Sequence, residues 1–256
     1  MTDRATVTLG ESPLARIGLG TNRLTHTPEN VAFIREAVAA GVSLIDTARV
    51  YTGGESEDTI GAALSSPPEG CLVATKGGYG TGNGRPDVLG AQIEESLRRL
   101  RTDSIDLYYL HKPDPQTPLE ESLGVIGEYR DRERIRYVGV SNVSVEQIDR
   151  ARQVVPIAAV QNHYNLSERT HEDVVDFCAE NGIVFVPYFP LRDGGSVAAE
   201  IGKRHGATPE QVALAWLLRR SPTTLAIPGT LLLDHLRENL AAAEIELTDD
   251  EFDTLR

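Results

Sequence analysis

Four side chains that can hold or move a proton stand at the ends of short apolar runs. Asp46 follows Leu44-Ile45, with Tyr51 five residues on. Lys76 closes Val73-Ala74-Thr75, and His111 closes Tyr108-Tyr109-Leu110. If those runs are successive parallel strands, a carboxylate, a phenol, an ammonium and an imidazole meet at one end of a sheet. That is a proton-donating site built around a tyrosine. Tyr51 alone is a poor acid, with an ordinary pKa of about 10. A nearby Lys76 ammonium favours the phenolate and is expected to lower that value, while Asp46 keeps Lys76 protonated and oriented. Taken singly, each residue also has a structural reading: a cap, a rim aromatic, a surface amine, a strand-end imidazole. Their recurrence at consecutive strand ends is what sets them apart.

The elements that must position them alternate along the chain. Apolar runs occupy residues 16–21, 43–48, 71–76, 105–111, 135–141, 157–161, 183–189 and 224–228, several of them apolar on both faces, as covered strands are. Between them Val31, Ile34 and Val38 share a helical face, as do Ile93, Leu97 and Leu100, and Leu119, Leu123 and Ile126. Thr27-Pro28, Thr117-Pro118 and Thr208-Pro209 each place a capping threonine before a first-turn proline. Glu120, Gln211 and, after Ser144, Gln147 add the spacing of a capping box. Eight strands alternating with helices predict an α/β fold and, by their count, a closed (β/α)8 TIM barrel rather than an open doubly wound sheet. Residues 7–14 read as an N-terminal β-hairpin under the barrel. Two extra helices are expected, one near residues 197–205 and one from Thr248. No Gly-x-Gly-x-x-Gly joins the first strand to its helix. The glycine-rich stretch 77–84 lacks the ending of a phosphate loop and reads as a flexible rim loop.

At 256 residues without a composition break, residues 1–256 read as a single barrel domain. Cys71 and Cys178 lie in apolar surroundings without metal-ligand spacing and read as buried hydrophobes in a reducing compartment, so no metal is expected. Residues 1–4 carry no apolar signal, and the longest apolar run is too short to span a bilayer, so a cytoplasmic protein without a membrane partner is expected. The formal charge of −13 speaks against nucleic acid as a partner.

The same residues carry a resemblance over almost the whole chain, from Ile17-Gly-Leu-Gly20-Thr21 to Glu238-Asn239. Asp46-Thr-Ala-x-x-Tyr51, Thr75-Lys76 and Leu110-His111 resemble the catalytic tetrad of the aldo-keto reductase superfamily, with Gln161-Asn-x-Tyr-Asn165 and His205-Gly-Ala-Thr-Pro209 most like a bacterial subgroup that includes pyridoxal reductases. The resemblance implies reduction of an aldehyde or ketone to an alcohol, with hydride from NADPH (NADH possible), a proton from Tyr51, and His111 polarising the carbonyl. It also implies a small-molecule carbonyl substrate, pyridoxal among them, and a monomer. Ser141, Asn142 and Gln161 would hold the nicotinamide carboxamide and Tyr188 would stack on its ring. Gly20, Thr21, Asn22, Phe189, Pro190 and Leu191 would line the cofactor's path. Ile227, Gly229, Thr230, His235, Glu238 and Asn239 would form its adenosine end.

Three departures accompany it. Relatives meet the 2′-phosphate with a lysine and an arginine where this chain has Gly229 and His235, leaving Thr230 and the N-terminus of the last barrel helix for that task. Leu231-Leu232-Leu233 replaces hydroxyl residues, with Leu232 and Leu236 read as the helix's core face. Phe189 replaces a serine, which removes one hydroxyl donor. The loop of residues 192–196 is short, and with the chain stopping at Arg256 an open, shallow site is expected, walled by Tyr51, His111, Tyr79, Asn22 and Arg49. Two other readings stay open: a barrel isomerase or aldolase forming a Schiff base on Lys76, and a non-catalytic, cofactor-sensing subunit.

Overall fold

The computed structural model describes residues 5–64, 68, 70–191 and 195–255. β1 (Thr6–Leu9) and β2 (Ser12–Ala15) form the antiparallel hairpin, Val7 opposite Leu14. Seven parallel strands then follow in chain order, each bonded to the next. They are β3 (Leu19–Gly20), β4 (Leu44–Asp46), β5 (Leu72–Gly77), β6 (Ile105–Leu110), β7 (Ile135–Ser141), β8 (Ile157–Gln161) and β9 (Val184–Phe185). Residues 224–229 close the cylinder. Thr224 bridges Phe185, while Ala226 and Gly229 bridge Ile17 and Gly20. The fold is the (β/α)8 barrel that the alternation predicts.

Several of the expected strands are shorter than their apolar runs, and in the last two proline is the reason. Pro187 and Pro228 have no N–H to donate, so the ladder breaks into isolated bridges around them. The closure also demands glycine. A Cβ on Gly20 would stand 2.6 Å from the Ile227 carbonyl oxygen, so the first and eighth strands approach this closely only without a side chain there. Arg16 ties the same seam from below. Its guanidinium donates to the carbonyls of Leu218, Ser221 and Thr224, and burial lowers its pKa to about 10.

The helices are α1 (Pro28–Ala39), α2 (Glu55–Ala63), α3 (Pro86–Leu100), α4 (Leu119–Asp131), α5 (Val145–Arg152), α6 (Glu172–Glu180), α7 (Gly195–His205), α8 (Pro209–Arg220), α9 (Leu233–Ala241) and α10 (Asp249–Thr254). Of these, α7 and α10 are the two extra ones. Thr27 caps α1, and Ser144 and Thr208 form capping boxes with Gln147 and Gln211. Thr117 does not cap α4. Its hydroxyl donates to Asp114 Oδ2 instead, Pro118 takes the cap position, and Glu120 pairs with Arg150 at 2.8 Å. The buried face of α1 is Phe33, Ile34 and Ala37, with Val31 and Val38 only half-buried at its margins.

Period-two alternation splits the strand side chains between two apolar layers. Outward residues such as Ile45, Val73, Tyr108, Val138 and Val160 pack under the helices. Leu44, Ala74, Tyr109, Ala159 and Ile227 fill the barrel's interior, which Val7, Leu9 and Leu14 of the hairpin close from beneath. The free thiols of Cys71 and Cys178 are buried, and burial pushes both up to about 12, which leaves them inert as nucleophiles. Among the described residues no helix is long and apolar enough to cross a membrane.

Candidate active site

The interior layer delivers the site. Asp46, Lys76, His111, Ser141 and Gln161 each lie two residues beyond an inward-facing position: Leu44, Ala74, Tyr109, Gly139 and Ala159. The same parity that buries one residue in the barrel therefore turns the next toward its carboxyl-terminal mouth. Tyr51 arrives differently, from a short 3₁₀ turn (Tyr51–Gly54) between β4 and α2. Thr52 beside it is held at φ +49, a strained angle for a β-branched residue, and its hydroxyl donates to the Leu24 carbonyl at 2.7 Å.

Lys76 is the hub. Its Nζ donates to Asp46 Oδ1 at 2.6 Å, to the Thr47 carbonyl at 2.7 Å and to the Tyr51 hydroxyl at 3.3 Å. Those three bonds use every proton of an ammonium. Burial by itself would lower the Lys76 pKa, but the Asp46 carboxylate and Tyr51 reverse that and hold it above its ordinary value. Gln161 Nε2 donates to the other Asp46 oxygen at 2.9 Å, so the carboxylate is held on both sides.

Tyr51 departs from the expected direction. Burial raises its pKa, Lys76 opposes that, and the net value lies above that of free tyrosine. The ammonium thus offsets desolvation rather than acidifying the phenol outright. His111 stands edge-on to Tyr51, ring centroids 6.0 Å apart, and tilted against Tyr79 at 4.8 Å. Burial, followed by the charge of Lys76, drives its pKa down to about 3, so the imidazole is neutral at physiological pH. Its Nδ1 is enclosed without a partner among the described residues.

Asp46, Tyr51, His111 and Gln161 floor a cleft of about 760 Å³ at the barrel mouth, with Lys76 buried beneath them. Of the residues expected to hold a dinucleotide, Gly20, Thr21, Asn22, Ser141, Asn142, Gln161, Tyr188, Phe189, Pro190, Leu191, Ile227 and Gly229 line it. The Tyr188 ring lies flat on His163, with centroids 5.1 Å apart and planes 5° from parallel, and its hydroxyl donates to Asn142 Oδ1 at 2.9 Å. Asn142, at φ +59, gives its two amide protons to the His111 carbonyl and to Ser141 Oγ. One side chain thereby links the aromatic platform to the backbone of His111. The Ser141 hydroxyl proton is left to donate into the cleft.

Of the residues expected at the adenosine end, Ile227 and Gly229 line the cleft, and Thr230, His235, Glu238 and Asn239 lie outside its lining. Thr230 Oγ1 accepts from the Leu232 backbone N–H at 3.0 Å, Asn239 is buried, and His235 and Glu238 are exposed on α9. Leu232 is no core residue either. It precedes α9 in extended conformation and is 58% exposed, whereas Leu236 is fully buried.

Arg49, expected as a wall, turns away to Glu95, 2.6 Å from Nε to Oε2. The rim loop after β5 is pinned: Gly84 N donates to Asp114 Oδ2, Gln92 Nε2 to Asn83 Oδ1 and Ser122 Oγ to the Gly84 carbonyl. Of the loop at residues 192–196, residues 192–194 lie outside those described, and Gly195 and Ser196 open α7. The cleft also includes Arg23, Val50 and Lys112, which the motifs did not single out, although each directly follows or precedes a motif residue.

Comparison with known proteins agrees with this geometry. The sequence profile of the Aldo/keto reductase family matches residues 16–199 and 195–256. The chain is 35% identical to pyridoxine 4-dehydrogenase of Escherichia coli K12, over 98% of this chain and 96% of that protein. The structure of a thermostable aldo-keto reductase, Tm1743, in complex with the inhibitor epalrestat superposes with a TM-score of 0.90 at 36% identity, covering 98% of both chains. An aldo-keto reductase of Klebsiella pneumoniae in complex with NADPH gives a TM-score of 0.88 at 30% identity, covering 98% of this chain and 93% of that one. With a matching fold, a matching profile and relatives spanning nearly its full length, the chain belongs to the aldo/keto reductase family.

Proposed function

We propose that this chain reduces an aldehyde or ketone to an alcohol using NADPH, with Tyr51 as the proton donor. The observation that carries the reading is the saturated ammonium of Lys76, bonded at once to Asp46 and Tyr51, which line the cleft above it. When bound, the dinucleotide supplies the hydride. The chain's own residues do the rest. Ser141, Asn142 and Gln161 would hold the carboxamide, and the Tyr188 ring, which lines the cleft and stacks on His163 behind it, would back the nicotinamide ring. Polar groups and a flat aromatic face lining one cleft fit such a ligand.

As negative charge grows on the substrate oxygen, neutral His111 donates a hydrogen bond from Nε2 and Tyr51 transfers its proton. Lys76 then faces a phenolate, which its charge stabilises, while Asp46 and the Thr47 carbonyl keep the ammonium in place. A Schiff base on Lys76 finds no support here. The amine is fully buried, held protonated and has no free donor, whereas a carbonyl-attacking lysine must be neutral and reachable. Pyridoxal is the first substrate to try, from the likeness to pyridoxine 4-dehydrogenase, and NADPH the first cofactor, from the Klebsiella relative.

The test is oxidation of NADPH by the purified protein with pyridoxal and a panel of small aldehydes and ketones, followed over pH. Turnover with any of them is the expected result, and none with either nicotinamide cofactor would sink the reading. The profile is informative as well. Reduction requires the phenol form of Tyr51, whose pKa lies above that of free tyrosine. The rate should therefore hold level through neutral pH and fall only beyond about pH 10. His111, pushed down to about 3, should add no limb between about pH 5 and 8.

A further inference from the structure

We infer that Arg23 is the side chain that grips a phosphate of the dinucleotide, at a place where strand eight and the first turn of α9 carry no lysine or arginine. The inference rests on the reductase reading above. Among the cleft-lining residues the formally charged ones are Arg23, Asp46 and Lys112. Asp46 is committed to Lys76. Lys112 directly follows His111, after β6 and therefore across the barrel from the closing seam. Arg23 lies at that seam, on the loop after β3, with Nη2 3.4 Å from the Gly229 carbonyl oxygen.

Strand eight has little room for a cation of its own. A Cβ on Gly229 would come within 3.3 Å of the Gly20 carbonyl and 3.6 Å of Asn22 Oδ1, because Gly20 and Gly229 are bridged. The start of α9 offers no lysine or arginine in its first turn: Thr230 accepts from the Leu232 N–H, His235 is exposed outside the cleft lining, and Asp234 pairs with Arg237 further along the helix. Arg23 reaches the Gly229 wall from the opposite side of the seam.

Its guanidinium is suited to the role. It is exposed, forms no ion pair among the described residues, and makes one long hydrogen bond. Of its five N–H donors most therefore remain for a phosphate, which a guanidinium can grip with two parallel bonds. In a chain of net charge −13, a cation at the cleft also gives an anionic ligand a local attraction that the rest of the surface opposes.

The experiment is calorimetric titration of wild type, Arg23→Gln and Arg23→Lys with NADPH and with NADH, at several salt concentrations. Arg23→Gln should weaken binding by roughly 10- to 100-fold, as expected for losing a charge-assisted contact. Arg23→Lys should recover part of the loss, and the dependence of affinity on salt should flatten in Arg23→Gln. A loss confined to NADPH places the guanidinium on the 2′-phosphate, and an equal loss for both cofactors places it on the diphosphate. Either supports the inference. Unchanged affinity for both cofactors in Arg23→Gln overturns it while leaving the reductase reading standing. Wild type that binds neither cofactor overturns that reading and the inference with it. Because Arg23 is exposed, the variants should melt with wild type, so a folding defect would show separately in the thermal midpoint.

Discussion

Tyr51→Phe should lose carbonyl reduction by roughly 10²- to 10⁴-fold while keeping its fold and its affinity for cofactor. The substitution removes one oxygen and leaves the ring, which stands edge-on to His111. Of Asp46, Tyr51, Lys76 and His111, the phenol is the one acid with a proton to give: Lys76 is saturated by its three partners, and His111 is neutral. Without it the alkoxide forming on the substrate has only the hydrogen bond from His111. Removing the hydroxyl also leaves one Lys76 proton without its acceptor at 3.3 Å, a loss that water entering from the cleft can make good. Steady-state kinetics beside a cofactor titration decide the matter. Activity within a few-fold of wild type would remove Tyr51 from the chemistry, and lost cofactor binding would move it to a binding role.

Lys76→Met should be costly in a second way, through stability. The lysine is wholly inaccessible and its carboxylate partner nearly so. Breaking such a pair strands a buried charge, which costs about 3–5 kcal/mol. In a chain of this size that corresponds to a fall of roughly 10 °C in the melting temperature. Asp46 would keep only the Gln161 amide as a hydrogen-bond donor, so a second change, Asp46→Asn, should return part of the lost stability but none of the activity. Thermal melts of the single and double variants, read with their turnover, check both halves. A single variant melting with wild type would mean that the pair contributes little net stability; a double variant that reduces carbonyls would show the pair to be dispensable.

Much of this site is legible in the sequence because a strand repeats every two residues. Once Leu44, Ala74, Tyr109 and Ala159 are read as inward, Asp46, Lys76, His111 and Gln161 must share their side, and eight strands in order bring them to one mouth. Threonine or serine followed three residues later by glutamine also reads true at Ser144 and Thr208. Thr117 fails because the helix starts one residue later, with Pro118 at the cap position, and its hydroxyl donates back to Asp114. Arg49 fails because its partner, Glu95, is one that only the folded chain supplies. The direction of the Tyr51 shift is a different kind of miss. Proximity to Lys76 is written in the spacing, but how much water the barrel excludes from the phenol is not, and desolvation outweighs the ammonium. Arg23 escaped notice because its importance depends on what Gly229 lacks, two hundred residues away along the chain.

A barrel is as firm as its weakest stave, and here that stave is residues 224–229. The ladders β5–β6 and β6–β7 run for four and five paired positions, whereas this segment touches its neighbours through isolated bridges, with Pro228 unable to donate. Glycines at positions 18, 20 and 229 leave little there to interlock. The cylinder should therefore breathe along this line, and its amides near Gly20 and Ala226 should exchange with deuterium sooner than those of Leu107 or Val140. Uniform protection around the barrel would refute this. The line of breathing divides the cleft itself, with Thr21, Asn22 and Arg23 on one bank and Ile227 and Gly229 on the other. A dinucleotide laid across it would act as a clasp, and slower exchange along that line on cofactor binding would be the sign that the ligand locks the barrel as well as occupying it.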